Sequence, residues 1–185
     1  ITTEGIKVMM AEAITALTTA QISKLTTGQI SVLSNAQLQA IETADLQKLT
    51  DEQVQAITTT GIKALTVEQV SKFTTTQIAA LTTQQVANLS SSVVASLSST
   101  QIQSFETRDF ASLSSSNVQA LSTVQLKALT TAQVAGLTSA QLNSMGSTQL
   151  SQLKAEQLLG LSTTTLNQLD ANTLGGLLGA QVLGL

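Results

Sequence analysis

An eight-residue period without a single insertion or deletion is the feature that most constrains the fold of this 185-residue chain. A large apolar residue stands at every eighth position from Ile1 to Leu185, and a second apolar series runs at the same interval from Ile6 to Val182. The chain therefore consists of about 23 units. Because a unit this short cannot bury its own apolar side chains, it must stack on its neighbours, and the period predicts a repeat solenoid.

A typical unit is Leu25–Val32, which reads LTTGQISV. Position 1 is a large apolar residue, position 2 is Ser or Thr, position 5 is Gln and position 6 is the second apolar residue. A hydroxyl followed three residues later by Gln is the pattern of a capping box, and the apolar pair that brackets it forms a hydrophobic staple. Both signals predict a short helix in each unit, with its N-cap at position 2.

One continuous helix would not bury this pattern, because eight residues at 3.6 per turn rotate the apolar positions by about 80° in each unit. The helix must break once per unit, and a hydroxyl that bonds nearby backbone supplies the break. The predicted fold class is therefore all-α, a solenoid of short capped helices, one per eight-residue repeat, coiled around a narrow apolar core. A β-solenoid with one strand per unit is the alternative, although the apolar spacing of five then three does not alternate.

The domain prediction is a single octapeptide-repeat solenoid over residues 1–185 that is atypical at 1–16 and 161–185. Met10 replaces a capping residue near the start, and the last two units lose the Ser or Thr of position 2 and gain glycines. The apolar end is expected to join a following domain or to contact another chain. Since the chain begins in register and without Met, it is expected to be a fragment of a longer repeat protein.

Composition argues against several function classes. The chain has no Cys and no His, so it lacks disulfides, thiolate chemistry and the commonest general base and metal ligand. A net charge of −3 with scattered lysines offers no basic face for nucleic acid. No apolar run reaches the roughly 18 residues of a membrane span. We therefore expect a protein that is not an enzyme, with no catalytic, cofactor-binding or metal-binding residues, no cofactor and no membrane insertion.

Two acidic pairs nevertheless suggest a metal hypothesis, because Glu42 with Asp45 and Glu106 with Asp109 each place two carboxylates three residues apart. The preferred interpretation is that the glutamate favours the helix dipole while the following Thr takes over the cap. A calcium loop needs several oxygen ligands close together, and the sequence has no D-x-D motif. The hydroxyl clusters 90–92 and 114–116 are interpreted as caps and solvated serines, because the sequence has no histidine or well-placed lysine that could activate a serine as a nucleophile.

The segments Leu129–Val134 (LTTAQV) and Leu121–Leu126 (LSTVQL) carry a resemblance that covers essentially the whole chain. They resemble the long low-complexity repeat tracts of large bacterial surface or secreted adhesin-like proteins. The resemblance implies a stalk that holds other domains away from the cell. The predicted function is a structural rod, stalk or filament-forming scaffold, extracellular or at the cell surface. Its expected partners are other copies of the repeat and adjoining domains of the same polypeptide.

Two alternative functions stay open. Rows of threonine such as Thr74, Thr82 and Thr130 would form an ice-binding surface if they lay exposed on a flat face. A helical-repeat binding module is the other alternative, but an eight-residue unit is short for building a groove of varied side chains.

Overall fold

The computed structural model describes residues 1–181, with side chains described as far as Leu177. Val182, Gly184 and Leu185, which belong to the last units of the predicted pattern, lie outside the described residues. Within the described range the chain forms 22 α-helices and no β-strand. This confirms the all-α prediction and rules out the β-solenoid alternative.

The first 21 helices have only four to six residues each, and the last has 11. Their bounds are α1 Thr3–Lys7, α2 Ala11–Thr15, α3 Thr19–Ile22, α4 Thr27–Ser31, α5 Asn35–Ala40, α6 Thr43–Leu46, α7 Asp51–Ala56, α8 Thr59–Ala64, α9 Val67–Ser71, α10 Thr75–Ala80, α11 Thr83–Ala87, α12 Ser91–Ser96, α13 Ser99–Ser104, α14 Thr107–Phe110, α15 Ser115–Gln119, α16 Thr123–Ala128, α17 Thr131–Ala135, α18 Ser139–Ser144, α19 Ser147–Leu150, α20 Ala155–Leu158, α21 Thr163–Asn167 and α22 Ala171–Gln181.

The helices begin where the capping pattern predicts. In α11, the Thr82 hydroxyl accepts a hydrogen bond from the Gln85 backbone N–H at 3.3 Å, and the Gln85 Oε1 accepts from the Thr82 N–H at 2.8 Å. Such a capping box satisfies two of the donors that a helix N-terminus leaves free. The N-cap of each helix from α1 to α21 is position 2 of its unit, so the predicted register is confirmed.

The break between helices does not require a capping hydroxyl in every unit. Met10, Glu42, Glu106 and Gly146 stand at position 2, adopt the same extended backbone as the other N-caps, and cap with no side-chain hydrogen bond. At the end of the described chain α22 runs through the unit boundary, where Leu178 replaces the hydroxyl. Packing of the surrounding coil therefore maintains the break when a single cap is missing.

The chain divides into two compact halves, Ile1–Leu89 and Ser90–Leu185. In each half a helix packs against the third helix along the chain, so three helices, or 24 residues, make one turn of the coil. In the first half α4 packs on α7 and α7 on α10, and in the second half α12 packs on α15 and α15 on α18. The sequence did not determine this number. The prediction of one solenoid over 1–185 stays a prediction.

The two apolar series form the interior, as predicted. From Ile6 to Leu150 the position 6 side chains are at most 2% exposed, and from Leu25 to Leu153 those at position 1 are at most 7% exposed. Burying such a side chain contributes about 1.5–3 kcal/mol. Since helices this short are unstable alone, their stability comes from stacking.

Candidate functional site

A third buried series, made of position 5 glutamines, connects successive turns of the coil. The Gln85 side chain is 2% exposed. Its Oε1 bonds the cap of its own helix, while its Nε2 donates to the carbonyl oxygens of Val54 and Ile57, both at 2.8 Å. These carbonyls lie at the end of α7, in the preceding turn. Both the oxygen and the nitrogen of this side-chain amide therefore have hydrogen-bond partners, although the amide is excluded from water.

The same arrangement recurs at constant sequence offsets. In seven glutamines Nε2 lies 2.6–3.2 Å from the carbonyl oxygens 28 and 31 residues earlier. We call this set the glutamine ladder: Gln37, Gln69, Gln77, Gln85, Gln125, Gln133 and Gln157. In several units, including that of Gln85, the carbonyl 30 residues earlier also accepts. Because the offsets are the same at all seven glutamines, the turns that contain them are held to the preceding turns by the same bonds.

An exposed set of glutamines at position 7 connects the turns in the opposite direction. The Nε2 atoms of Gln39, Gln47, Gln103 and Gln119 donate to the carbonyl oxygen 25 residues later at 2.6–2.7 Å. These bonds are accessible to water and therefore contribute less than the buried ladder. The repeat that contains Gln39 has amide bonds in both directions, to the turn before it through Gln37 and to the turn after it through Gln39.

Sequence reasoning assigned position 5 to capping alone and missed its connecting role. The signal was available. A capping box accepts Glu as well as Gln, yet position 5 is Gln in most units and Glu in none. Glutamate has acceptors only, whereas the ladder needs donors for carbonyl oxygens, so the exclusion of Glu points to the second set of bonds.

The first acidic pair departs from its predicted geometry. Glu42 is the N-cap of α6 and makes no side-chain cap bond, while Thr43 is the first helical residue. The interpretation in which the Thr takes over the cap is therefore wrong, and the extended backbone at position 2 starts the helix without a cap. Asp45 occupies a ladder position and is only 6% exposed.

The second acidic pair repeats this arrangement. Glu106 caps α14 without a side-chain bond, Thr107 opens the helix, and Asp109 is 3% exposed. The Arg108 Nε lies 3.5 Å from Asp109 Oδ1. In the part of the chain that the structure describes, no group of three or more acidic side chains comes together in a metal-binding cluster.

The hydroxyl clusters act as predicted. Ser90 accepts a hydrogen bond from the Val93 N–H at 3.3 Å, and Ser114 accepts from the Asn117 N–H at 3.1 Å. Both serines are N-caps, and the remaining serines of the two clusters open the helices that follow.

The predicted threonine row is not formed by Thr74 and Thr82. They cap consecutive helices, which a coil of three helices per turn places on different sides. Thr130 lies in the second half of the chain. Residues 24 apart, such as Thr26, Thr50 and Thr74, instead occupy the same position in successive turns and are exposed.

An open groove of about 520 Å³ lies beside the start of α22. Its lining includes Asn143, Ser147 and Asp170. The Thr173 backbone N–H donates to Asp170 Oδ1 at 2.7 Å, and this bond holds the pKa of the exposed carboxyl below its ordinary value. Asp170 stands at position 2 of its unit and thus caps α22 in place of a hydroxyl residue.

Comparison with known families bears on the repeat directly. The ALTTAQ repeat family model matches residues 38–75, 62–91 and 102–139. These stretches are an ALTTAQ-like repeat tract. They cover just under half of the chain, and together with the helical coil they establish a helical repeat protein with a scaffold architecture. No curated protein matches the chain. None of the described helices has the length and apolar character needed to cross a membrane.

Proposed function

We propose that the ALTTAQ-like tract serves as a rod, stalk or filament-forming scaffold at the bacterial cell surface or in the extracellular matrix. The glutamine ladder is the observation that carries this proposal. At the seven ladder glutamines, successive turns meet through the same bonds, at offsets of 28 and 31 residues. A tract of this kind is lengthened by adding repeats, with no new type of contact, which is what a spacer requires.

The surface chemistry supports the same role. Charged residues make up only 10% of the chain, and exposed positions carry mainly hydroxyl and amide groups. Such a coat stays hydrated without a strong field that would attract one kind of ligand. The scaffold has no enzymatic activity and no cofactor. Its partners are other copies of the repeat and the domains to which the polypeptide connects it.

Electron microscopy of the purified chain, combined with sedimentation velocity over a range of concentrations, tests the proposal. We expect elongated particles, and a rise in sedimentation coefficient with concentration if ends associate. A variant that lacks residues 49–72, which begin with Leu49 and end with Lys72, is one turn shorter. Its images should show a shorter particle of unchanged width. Compact particles whose longest dimension does not change with this deletion would contradict the proposal.

Ice binding is a second candidate, and one observation favours it. Thr26, Thr50 and Thr74 are exposed at equivalent positions of successive turns, although each hydroxyl also accepts a capping hydrogen bond from its own helix. Thermal hysteresis of the monomer distinguishes the two functions. A clear hysteresis gap that the T50A variant abolishes would favour ice binding over the scaffold role.

A further inference from the structure

Asp45 replaces glutamine at position 5 of its unit and differs from the ladder residues in having no partner. The residue is buried, since only 6% of its surface is exposed. Among the described residues, none donates a hydrogen bond to its carboxylate or forms an ion pair with it. A buried carboxylate without a partner is strongly unfavourable. A group from outside the chain is therefore needed to neutralise it.

The repeat register identifies what lies opposite this carboxylate. Ladder glutamines meet the carbonyls 28, 30 and 31 residues earlier, which for Asp45 are those of Leu17, Thr15 and Ile14. Packing agrees, because α3 contacts α6 and the Thr15 hydroxyl donates to the Ala40 carbonyl at 3.4 Å. No hydrogen bond from the described residues reaches the Leu17 carbonyl oxygen. By the repeat register, the Asp45 carboxylate therefore belongs where a ladder glutamine has an N–H donor for these carbonyl oxygens.

The length of the side chain leaves room for an ion. Aspartate is one carbon–carbon bond shorter than glutamine, about 1.5 Å, so its oxygens stop short of the place that a ladder nitrogen occupies. Calcium binds carboxylate, carbonyl and water oxygens at about 2.3–2.6 Å in flexible geometry. Magnesium is less suitable, because it requires a near-octahedral shell at shorter distances and retains its waters.

We propose that Asp45 and the main-chain carbonyl oxygens of Leu17 and Thr15 bind a calcium ion that replaces the missing amide and joins α6 to the preceding turn. Exposed Glu42, three residues earlier at the N-cap, supplies a second carboxylate at the mouth of the site. Water completes the coordination. With so few charged ligands, the affinity falls in the range of extracellular modules, with a dissociation constant of about 10⁻⁴–10⁻³ M.

The chain's own consensus provides the matched variant, D45Q, which restores the ladder residue. Calcium chloride titrated into the full-length protein, with backbone amide NMR shifts and the midpoint of thermal unfolding as readouts, tests the site. In the wild type we expect saturable shifts confined to residues 14–17 and 42–46, and a midpoint that rises with calcium as linkage requires. The D45Q protein should unfold at a higher temperature than the wild type in EDTA and should not respond to calcium.

Each other outcome overturns the proposal. Absence of local shifts in the wild type at 10 mM calcium, about 10 to 100 times the expected dissociation constant, would show that no calcium site exists. Equal shifts in D45Q would place any binding elsewhere on the surface. Stabilisation of the wild type by acid alone, with no response to calcium, would show that a proton rather than a metal ion neutralises Asp45.

Discussion

The Q85E substitution tests the glutamine ladder with a change of one atom type and almost no change of volume. The introduced carboxylate retains an acceptor for the Thr82 N–H but has no donor for the carbonyl oxygens of Val54 and Ile57. It also brings a negative charge to a site that is 2% exposed and lined by carbonyl oxygens. If the ladder holds successive turns together, this variant should be strongly destabilised.

The magnitude follows from the bonds that are lost. Two well-formed hydrogen bonds contribute about 1 kcal/mol each, and a buried charge without a partner costs about 3–5 kcal/mol. The expected loss is about 3–5 kcal/mol, since the carboxylate relieves part of the cost by shifting toward water or taking up a proton. The neutral variant Q85M, which removes the donors without adding charge, should lose about 1–3 kcal/mol.

Urea denaturation followed by circular dichroism at 222 nm measures these differences. Gln84 precedes the ladder residue and is exposed in the first turn of the same helix, so Q84E adds the same charge to the same helix without touching the ladder. That control should lie within about 0.5 kcal/mol of the wild type, because an acidic residue is mildly favourable at a helix N-terminus. Lowering the pH should narrow the gap between Q85E and the wild type as the introduced carboxyl becomes neutral and regains a donor.

Equal stability of Q85E and Q84E would refute the reasoning, because it would mean that the amide donors do not hold the turns together. A loss that is just as large for Q85M as for Q85E would assign the effect to the donors and would contradict the predicted cost of the charge.

Two further predictions concern packing and pH. G61A should lower the free energy of unfolding in urea by about 1–3 kcal/mol, because an added Cβ would lie 2.6 Å from Leu38 Cδ1. In G28A the added Cβ would have its nearest neighbour at 3.8 Å, so this variant should be stabilised by about 0.5–1 kcal/mol. The reverse order of stability would contradict the packing. The hydrogen bond from the Thr173 N–H lowers the pKa of Asp170. The cap therefore stabilises α22 at pH values above the ordinary pKa of the carboxyl, and this stabilisation is lost as the pH falls through the lowered pKa. The NMR shift of the Thr173 N–H should follow this titration in the wild type, and a shift that does not change with pH would contradict the capping role of Asp170.

The sequence contained enough information to predict the local structure. Hydroxyl and glutamine at positions 2 and 5 specified where each helix begins, because capping is a contact within four residues. The alternation of five and three between apolar residues identified the buried positions in the same way. The helix starts are confirmed from α1 to α21, and the burial is confirmed from Ile6 to Leu150 at position 6 and from Leu25 to Leu153 at position 1. The absence of an enzymatic site was also inferred from composition and stays a prediction, whereas the inferred absence of a metal site conflicts with the calcium site that we propose at the buried Asp45.

Contacts between turns were beyond that reasoning. Nothing within one unit states that three helices complete a turn, so neither the offsets of the ladder nor the exposed threonine columns were deduced. Glu42 shows that local capping is not required either, since α6 begins at the position that the repeat predicts although Glu42 makes no side-chain capping bond. The coil imposes that start because the flanking units already fix its position.

The sequence by itself thus determined the unit, its helical state and the side chains that it buries, since these depend on neighbours along the chain. Only the tertiary structure decided how many units form a turn, which carbonyls the position 5 amides meet, and that Asp45 is buried with no donor among the described residues. Those features depend on which residues 28–31 positions apart come together, and that pairing is set by packing of whole turns rather than by any local preference.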